Sequence, residues 1–89
     1  MTDSPIARLN QAIAIAYSGK LETAIRQVEP LRQHKALSQS HMPLVVLAHL
    51  NARAGRAAVS YQLAEQARQL GGTEHENRLM MLQLERLLR

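Results

Sequence analysis

Two glycines 36 positions apart, Gly19 and Gly55, constrain the fold more than any other feature of the sequence. Residues 16–24 around the first glycine (AYSGKLETA) align with residues 52–60 around the second (ARAGRAAVS). Both have a small or apolar residue two positions after the glycine and a small one five positions after it. Glycine readily adopts the left-handed conformation that ends a helix. The repetition therefore predicts two antiparallel helical hairpins, each turning at its glycine.

The residue types available for a core also favour helices. The 89 residues include no cysteine, tryptophan or phenylalanine and two tyrosines, so a core must be built from Ala, Leu, Ile, Val and Met. Ala, Leu, Gln, Arg and Glu, which are frequent here, are strong helix formers. A chain of this length forms one domain, and without cysteine it has neither disulfides nor thiolate metal sites. We predict a single all-α domain over residues 1–89.

Local start and stop signals divide that domain into five helices. Ser4 followed by Pro5 predicts the first helix start, with the serine hydroxyl as the N-cap. Pro30 predicts an end or a kink of the second helix, because proline removes a backbone donor and clashes with the preceding turn. Thr73 and Glu76 predict a capping box at the last helix. The predicted segments are a first hairpin over 5–37, a linker at 38–40, a second hairpin over 41–70 (helices 41–54 and 57–70) and a final helix over 74–88.

Stacked hairpins of this kind line a concave groove with the first helix of each hairpin. Extending the 36-residue spacing once more adds one side of the final helix. A surface of Ile, Leu, Val and Met suits the apolar face of an amphipathic helix, and Met adapts to an irregular partner. The alternative is that these residues meet one another in a closed core. The predicted groove residues are Ile6, Leu9, Ile13, Tyr17, Met42, Val45, His49, Arg53, Arg78, Met81, Glu85 and Leu88.

The sequence contains no pattern typical of a catalytic or metal site. The histidines lack paired metal-ligand spacing, since His41 and His49 lie two helical turns apart. Glu74, Glu76 and Glu85 fit helix capping and surface positions better than an acid–base pair. No glycine-rich phosphate loop follows a strand. We therefore expect a protein that is not an enzyme and that binds no metal or other cofactor.

Charge and hydropathy narrow the choice of partners. The formal net charge is +4, but the eleven basic residues are scattered and no aromatic cluster accompanies them. Scattered charge favours solvated helix faces over a nucleic-acid surface. The longest apolar run, Met42–Ala48, is too short to cross a bilayer, and the N-terminus has no basic segment typical of a secretory signal. We expect a cytoplasmic protein that neither binds nucleic acid nor inserts into membranes.

Several features occur together in the second half of the sequence: Pro43 at a helix start, Gly55 at its end, Ala57-Ala58 after it, the run 67–70, and a Thr73-capped final helix ending in Leu84-Glu85-Arg86-Leu87-Leu88. The spacing of the two glycines is also close to the 34-residue period of TPR repeats. From about residue 6 to residue 88, the chain resembles the TPR-like needle-protein chaperones of bacterial type III secretion systems. It differs from them in lacking the aromatic residues often found in that family's second hairpin and in its long, proline-interrupted connection between hairpins.

The resemblance implies a chaperone that holds the amphipathic C-terminal helix of a needle subunit and prevents its premature polymerisation, together with a small helical co-chaperone. It makes the groove residues binding residues, with Arg53 and Arg78 opposite acidic residues of the partner. Two other classes remain open. One is a general TPR-type adaptor or regulatory scaffold that binds a short peptide without a co-chaperone. The other is a small basic nucleic-acid-binding protein, whose binding weakens steeply as salt rises.

Overall fold

Five α-helices and one 3₁₀ helix, with no β-strand, make up the part of the chain that the computed structural model describes: residues 4–34, 37 and 40–88, without the side chains of residues 5 and 6. The elements are α1 (Pro5–Tyr17), α2 (Leu21–Val28), the 3₁₀ helix (Glu29–Gln33), α3 (Met42–Arg53), α4 (Ala57–Leu70) and α5 (Glu74–Leu87). The all-α prediction is confirmed, and α3 and α4 begin and end within one residue of their predicted bounds. Among the described residues, no helix has the length and apolar character needed to span a membrane.

The two hairpins have the same turn. α1 joins α2 around Gly19 and α3 joins α4 around Gly55, with φ angles of 96° and 81°. In each turn, the N–H that follows the glycine donates to the carbonyl five residues earlier, at 3.2 Å from Lys20 and at 2.9 Å from Arg56. This bond is typical of a helix that ends in a Schellman motif. The left-handed conformation predicted for both glycines is confirmed.

Pro30 interrupts the second helix as predicted. α2 ends two residues before it, and the chain continues as the 3₁₀ helix with the proline in its first turn. Leu31 is almost fully buried, so this segment remains packed on the core. Residues 38 and 39 of the predicted linker lie outside the described residues. Ser40 has a role that was not predicted: its Oγ accepts a hydrogen bond from the Met42 N–H at 3.2 Å and supports the start of α3.

The two predicted helix caps have different outcomes. Thr73 Oγ1 accepts from the Glu76 N–H at 3.0 Å, and Glu76 Oε1 accepts from the Thr73 N–H at 3.2 Å, so the capping box is confirmed. Ser4 occupies the N-cap position of α1, but its side chain makes no capping hydrogen bond, and the predicted hydroxyl cap is wrong. The first turn is held instead by the Ser4 carbonyl, which accepts from the Arg8 N–H at 3.0 Å.

The helices stack in chain order. α3 packs against both helices of the first hairpin, and α5 packs against both helices of the second. Small buried residues recur at equivalent positions of α1 and α3: Ala12 corresponds to Ala48 and Ala16 to Ala52, and all four are almost completely buried. Each pair is 36 positions apart, so the repeat extends beyond the glycine turns. The helices α1, α3 and α5 lie along one side of the domain, where they line a common space.

The core is aliphatic, with two buried polar side chains among the described residues. The largest fully buried side chains include Leu31, Leu47, Leu50 and Leu84. Asn51 Nδ2 donates to the Leu47 carbonyl at 2.8 Å, and Ser60 Oγ donates to the Ala48 carbonyl at 2.8 Å. Because both polar groups have partners, their burial avoids the cost of an unsatisfied donor. The Ser60 bond also joins α4 to α3 within the second hairpin.

Candidate protein-binding groove

A groove runs along the side of the domain that α1, α3 and α5 form. Its central part has a volume of about 270 Å³ and is lined by residues of all three helices. Two depressions adjoin it, one between α1 and the start of α3 and one between α3 and α5. Ile13, Val45 and Met80 each line two of these three spaces, which makes them one continuous surface. We call this surface the groove.

The structure brings most of the predicted residues of α1 and α3 together in the groove. Ile13, Tyr17, Val45, His49 and Arg53 all line its central part. Two pairs among them are 36 residues apart, Ile13 with His49 and Tyr17 with Arg53, so equivalent positions of the two hairpins face the same space. The first helix of each hairpin therefore lines the groove, in agreement with the repeat.

The remaining predicted residues of these helices differ in exposure. Met42 is 46% exposed and lines both adjoining depressions. Leu9 is only 4% exposed, so it belongs mainly to the core and reaches the groove at one depression. The side chain of Ile6 lies outside the described part of the chain.

On α5 the predicted residues do not line the groove, and their placement there is corrected. Arg78 is exposed, and its Nη2 lies 3.5 Å from a carboxylate oxygen of Glu74 on the same helix. Met81 and Leu88 are half-buried and pack against the core. Glu85 is exposed. The residues of α5 that line the central part are Met80, Gln83 and Leu84.

The spacing of the repeat explains this correction. From α3 to α5 the lining residues correspond at 34 positions, as from Val46 to Met80 and from Leu50 to Leu84. The prediction instead extended the 36-residue spacing, as from Val45 to Met81 and from His49 to Glu85. Two residues rotate a helix by about 200°, which exchanges one face for another. The first unit is longer because eight residues, 34–41, connect the 3₁₀ helix to α3, whereas three residues, 71–73, connect α4 to α5. The 34-residue period of TPR repeats was the signal that identifies the lining residues of α5.

Polarity changes along the groove. One end, which we call the apolar end, lies near the start of α3 and includes Ile13, Met42, Val45, Val46 and Met80. The other, which we call the polar end, lies near the last turns of α1 and α3 and consists of Tyr17, His49, Arg53 and Gln83. The apolar end thus offers mainly aliphatic contacts, with His41, Glu76 and Asn77 lining one of its depressions, and the polar end offers hydrogen-bonding groups.

The charge of the polar end comes from Arg53. Its guanidinium carbon lies over the Tyr17 ring, 5.0 Å from the centroid, which is the geometry of a cation–π contact. Burial, and secondarily the charge of Arg53, lower the pKa of His49 below its ordinary value. The imidazole is therefore neutral at pH 7, and it offers one hydrogen-bond donor and one acceptor.

No group of three or more His, Asp or Glu side chains in the described ranges is arranged to hold a metal ion. The groove offers aliphatic contacts, an imidazole, an amide and a guanidinium, which suit the binding of a peptide segment. Comparison of the chain with models of protein families, with curated proteins and with solved structures finds no match.

Proposed function

We propose that this chain is a non-enzymatic chaperone that holds an amphipathic helix of another protein in the groove. The observation that carries the proposal is the continuity of a largely aliphatic surface across three helices. None of the described residues covers it, and Met42 and Leu79 are about half exposed within it. Contiguous exposed apolar surface on a small domain marks an interaction site. An amphipathic helix fits such a groove through residues at i, i+3, i+4 and i+7.

The expected energetics suit reversible holding. Each aliphatic side chain that a partner buries fully contributes about 1.5–3 kcal/mol. Three such anchors supply on the order of 5–9 kcal/mol before the costs of association and ordering are subtracted. Hydrophobic contact alone therefore gives weak to moderate affinity, which suits a protein that must release its partner.

We further propose that the hairpins are TPR-like repeats and that the partner is a needle subunit of a type III secretion system, held with a small helical co-chaperone. Support comes from the shared glycine turns, the stacking of α3 and α5 on both helices of the preceding hairpin, and the capped final helix. A subunit that polymerises through an apolar helix must have that helix covered before export. The groove is a surface that can cover it.

The experiment compares two matched glutamate substitutions during affinity purification from the cells that encode the chain. Met42→Glu puts a charge into the groove, and Val59→Glu puts one on the outer side of α4 at nearly the same exposure, 46% and 44%. The recovered complexes are weighed by native mass spectrometry. Because a charge buried against apolar surface is costly, we expect Met42→Glu to lower partner recovery at least about tenfold. Val59→Glu should leave recovery unchanged, and thermal melts should show both variants folded.

The identity of the recovered proteins separates the finer possibilities. A complex with one or two small helical secretion proteins supports the secretion chaperone. A single peptide-like partner without a co-chaperone favours a general adaptor or scaffold. Equal recovery by wild type and Met42→Glu contradicts groove binding itself.

A further inference from the structure

Arg53 combines a positive charge with unused hydrogen-bonding capacity. It is the last residue of α3, is half-buried and lines the polar end. The repeat brings its guanidinium over the ring of Tyr17, the equivalent residue of α1. This cation–π contact stabilises the charge of Arg53, but the Tyr17 ring face is not a conventional hydrogen-bond acceptor for the guanidinium N–H groups. Among the described residues, no side chain or carbonyl accepts a hydrogen bond from the Arg53 guanidinium.

Other arginines of the described chain either pair with a carboxylate or lie exposed outside the groove. Four of them have carboxylate partners: Arg32 with Glu29, Arg56 with Glu22, Arg68 with Glu65, and Arg78 with Glu74. Arg26 and Arg86 have no such partner among the described residues, but they are exposed and do not line the groove. Arg53 is therefore the groove-lining arginine without an acidic partner in the described chain.

Among the described residues around Arg53, none neutralises its charge. The described lining of the central part includes no carboxylate. Glu76 lines the groove near the start of α5, where it is bonded to Thr73 in the capping box. His49 is neutral at pH 7 because burial and Arg53 lower its pKa. In the described chain, a positive charge without a carboxylate partner thus lies at one end of a groove whose central part is mainly aliphatic.

From this arrangement, and resting on the proposed function, we infer that the bound helix presents a carboxylate to the polar end, where Arg53 binds it. The occupant is an amphipathic helix with an acidic residue at one end of its apolar stripe. Charge-assisted bonds between a guanidinium and a carboxylate are stronger than neutral ones and can be bidentate. Partial burial of Arg53 reduces screening by water, which strengthens the interaction further. Arg53 consequently selects the partner and fixes the direction in which its helix lies.

Calorimetric titration with synthetic helical peptides tests this inference. Three end-blocked peptides share one leucine stripe: one has Glu after the C-terminal end of the stripe, one has Glu before its N-terminal end, and one has Gln at both places. A fourth peptide is the Gln peptide with a free C-terminal carboxylate. Each is titrated into wild type, into Arg53→Gln and into Arg78→Gln, the control for a lost charge outside the groove.

We expect one Glu peptide to bind wild type about tenfold more tightly than the blocked Gln peptide. The difference should fall to within about twofold in Arg53→Gln and persist in Arg78→Gln. It should also decrease as salt is added. A third outcome is that only the peptide with a free C-terminal carboxylate binds more tightly in an Arg53-dependent way. Arg53 then binds a carboxylate, but the carboxylate is the partner's chain terminus, and the inferred acidic side chain is overturned.

Two results overturn the inference while the proposed function stands. One is equal affinity of all four peptides for wild type, and the other is a preference for Glu that survives Arg53→Gln. Failure of every peptide to bind contradicts groove binding and the inference together.

Discussion

The two hairpins are alike where their helices are packed closely. Ala12 and Ala16 of α1 correspond to Ala48 and Ala52 of α3, and all four are almost completely buried. A fully buried small side chain leaves little room for a larger one, because protein interiors are packed at crystal-like density. The two hairpins therefore have alanine at the same buried positions.

The hairpins differ where they open to the groove. Ile13 is replaced by His49 at the equivalent position, and Tyr17 by Arg53. These positions share a backbone environment, so the fold alone does not require a histidine or an arginine there. The comparison teaches that, of the two hairpins, the second supplies the imidazole and the guanidinium of the polar end, while the first supplies mainly apolar and aromatic surface.

The largest expected effect on the free energy of unfolding comes from placing a larger side chain at these buried alanine positions. Ala12→Leu and Ala48→Leu should each lower the free energy of unfolding by about 1–3 kcal/mol, because the added atoms have no space between the helices. Urea denaturation measures both, with Ala14→Leu on the exposed side of α1 as the control. If Ala48→Leu lowers the free energy of unfolding and Ala12→Leu does not, the two positions are not packed equivalently.

A smaller effect on stability is expected from substitutions at Ala24 of the first hairpin and at Ser60, the equivalent residue of the second. Ser60→Ala removes the buried hydrogen bond to the Ala48 carbonyl and should cost about 0.5–1.5 kcal/mol. Ala24→Ser should be nearly neutral, because an equivalent geometry places the Ala12 carbonyl within reach of the new hydroxyl. A cost of Ala24→Ser above about 2 kcal/mol shows instead that the hydroxyl remains unsatisfied. Both variants are compared by urea denaturation.

The smallest effect concerns pH and again separates His49 from Ile13. The folded-state pKa of His49 is lowered, so the unfolded chain binds a proton more readily, and stability falls as pH drops below about 6.5. His49→Gln should remove this part of the loss between pH 7 and pH 5.5. Urea denaturation of both proteins at the two pH values measures it. An identical loss in wild type and variant contradicts the assignment.

Sequence reasoning succeeded where the signal is local. Gly19 and Gly55 set the turns through their own backbone conformation, and Thr73 with Glu76 caps a helix within one turn. The face of α5 was not predictable in the same way, because it depends on the number of residues between α3 and α5, which no local signal sets. Met80 shows the consequence: it was not among the predicted groove residues, and a spacing of 34 residues instead of 36 accounts for its place in the groove.

The most direct test of the account is photo-crosslinking at the two tyrosines of the chain. Tyr17 lines the groove, whereas Tyr61 is exposed on α4 and does not line it. Each is replaced in turn by p-benzoylphenylalanine, an aromatic residue that crosslinks to nearby groups on irradiation, and the tagged protein is irradiated in the cells that encode it. The account predicts a crosslinked partner from position 17 and none from position 61. A partner crosslinked from position 61 alone contradicts the groove as the binding site.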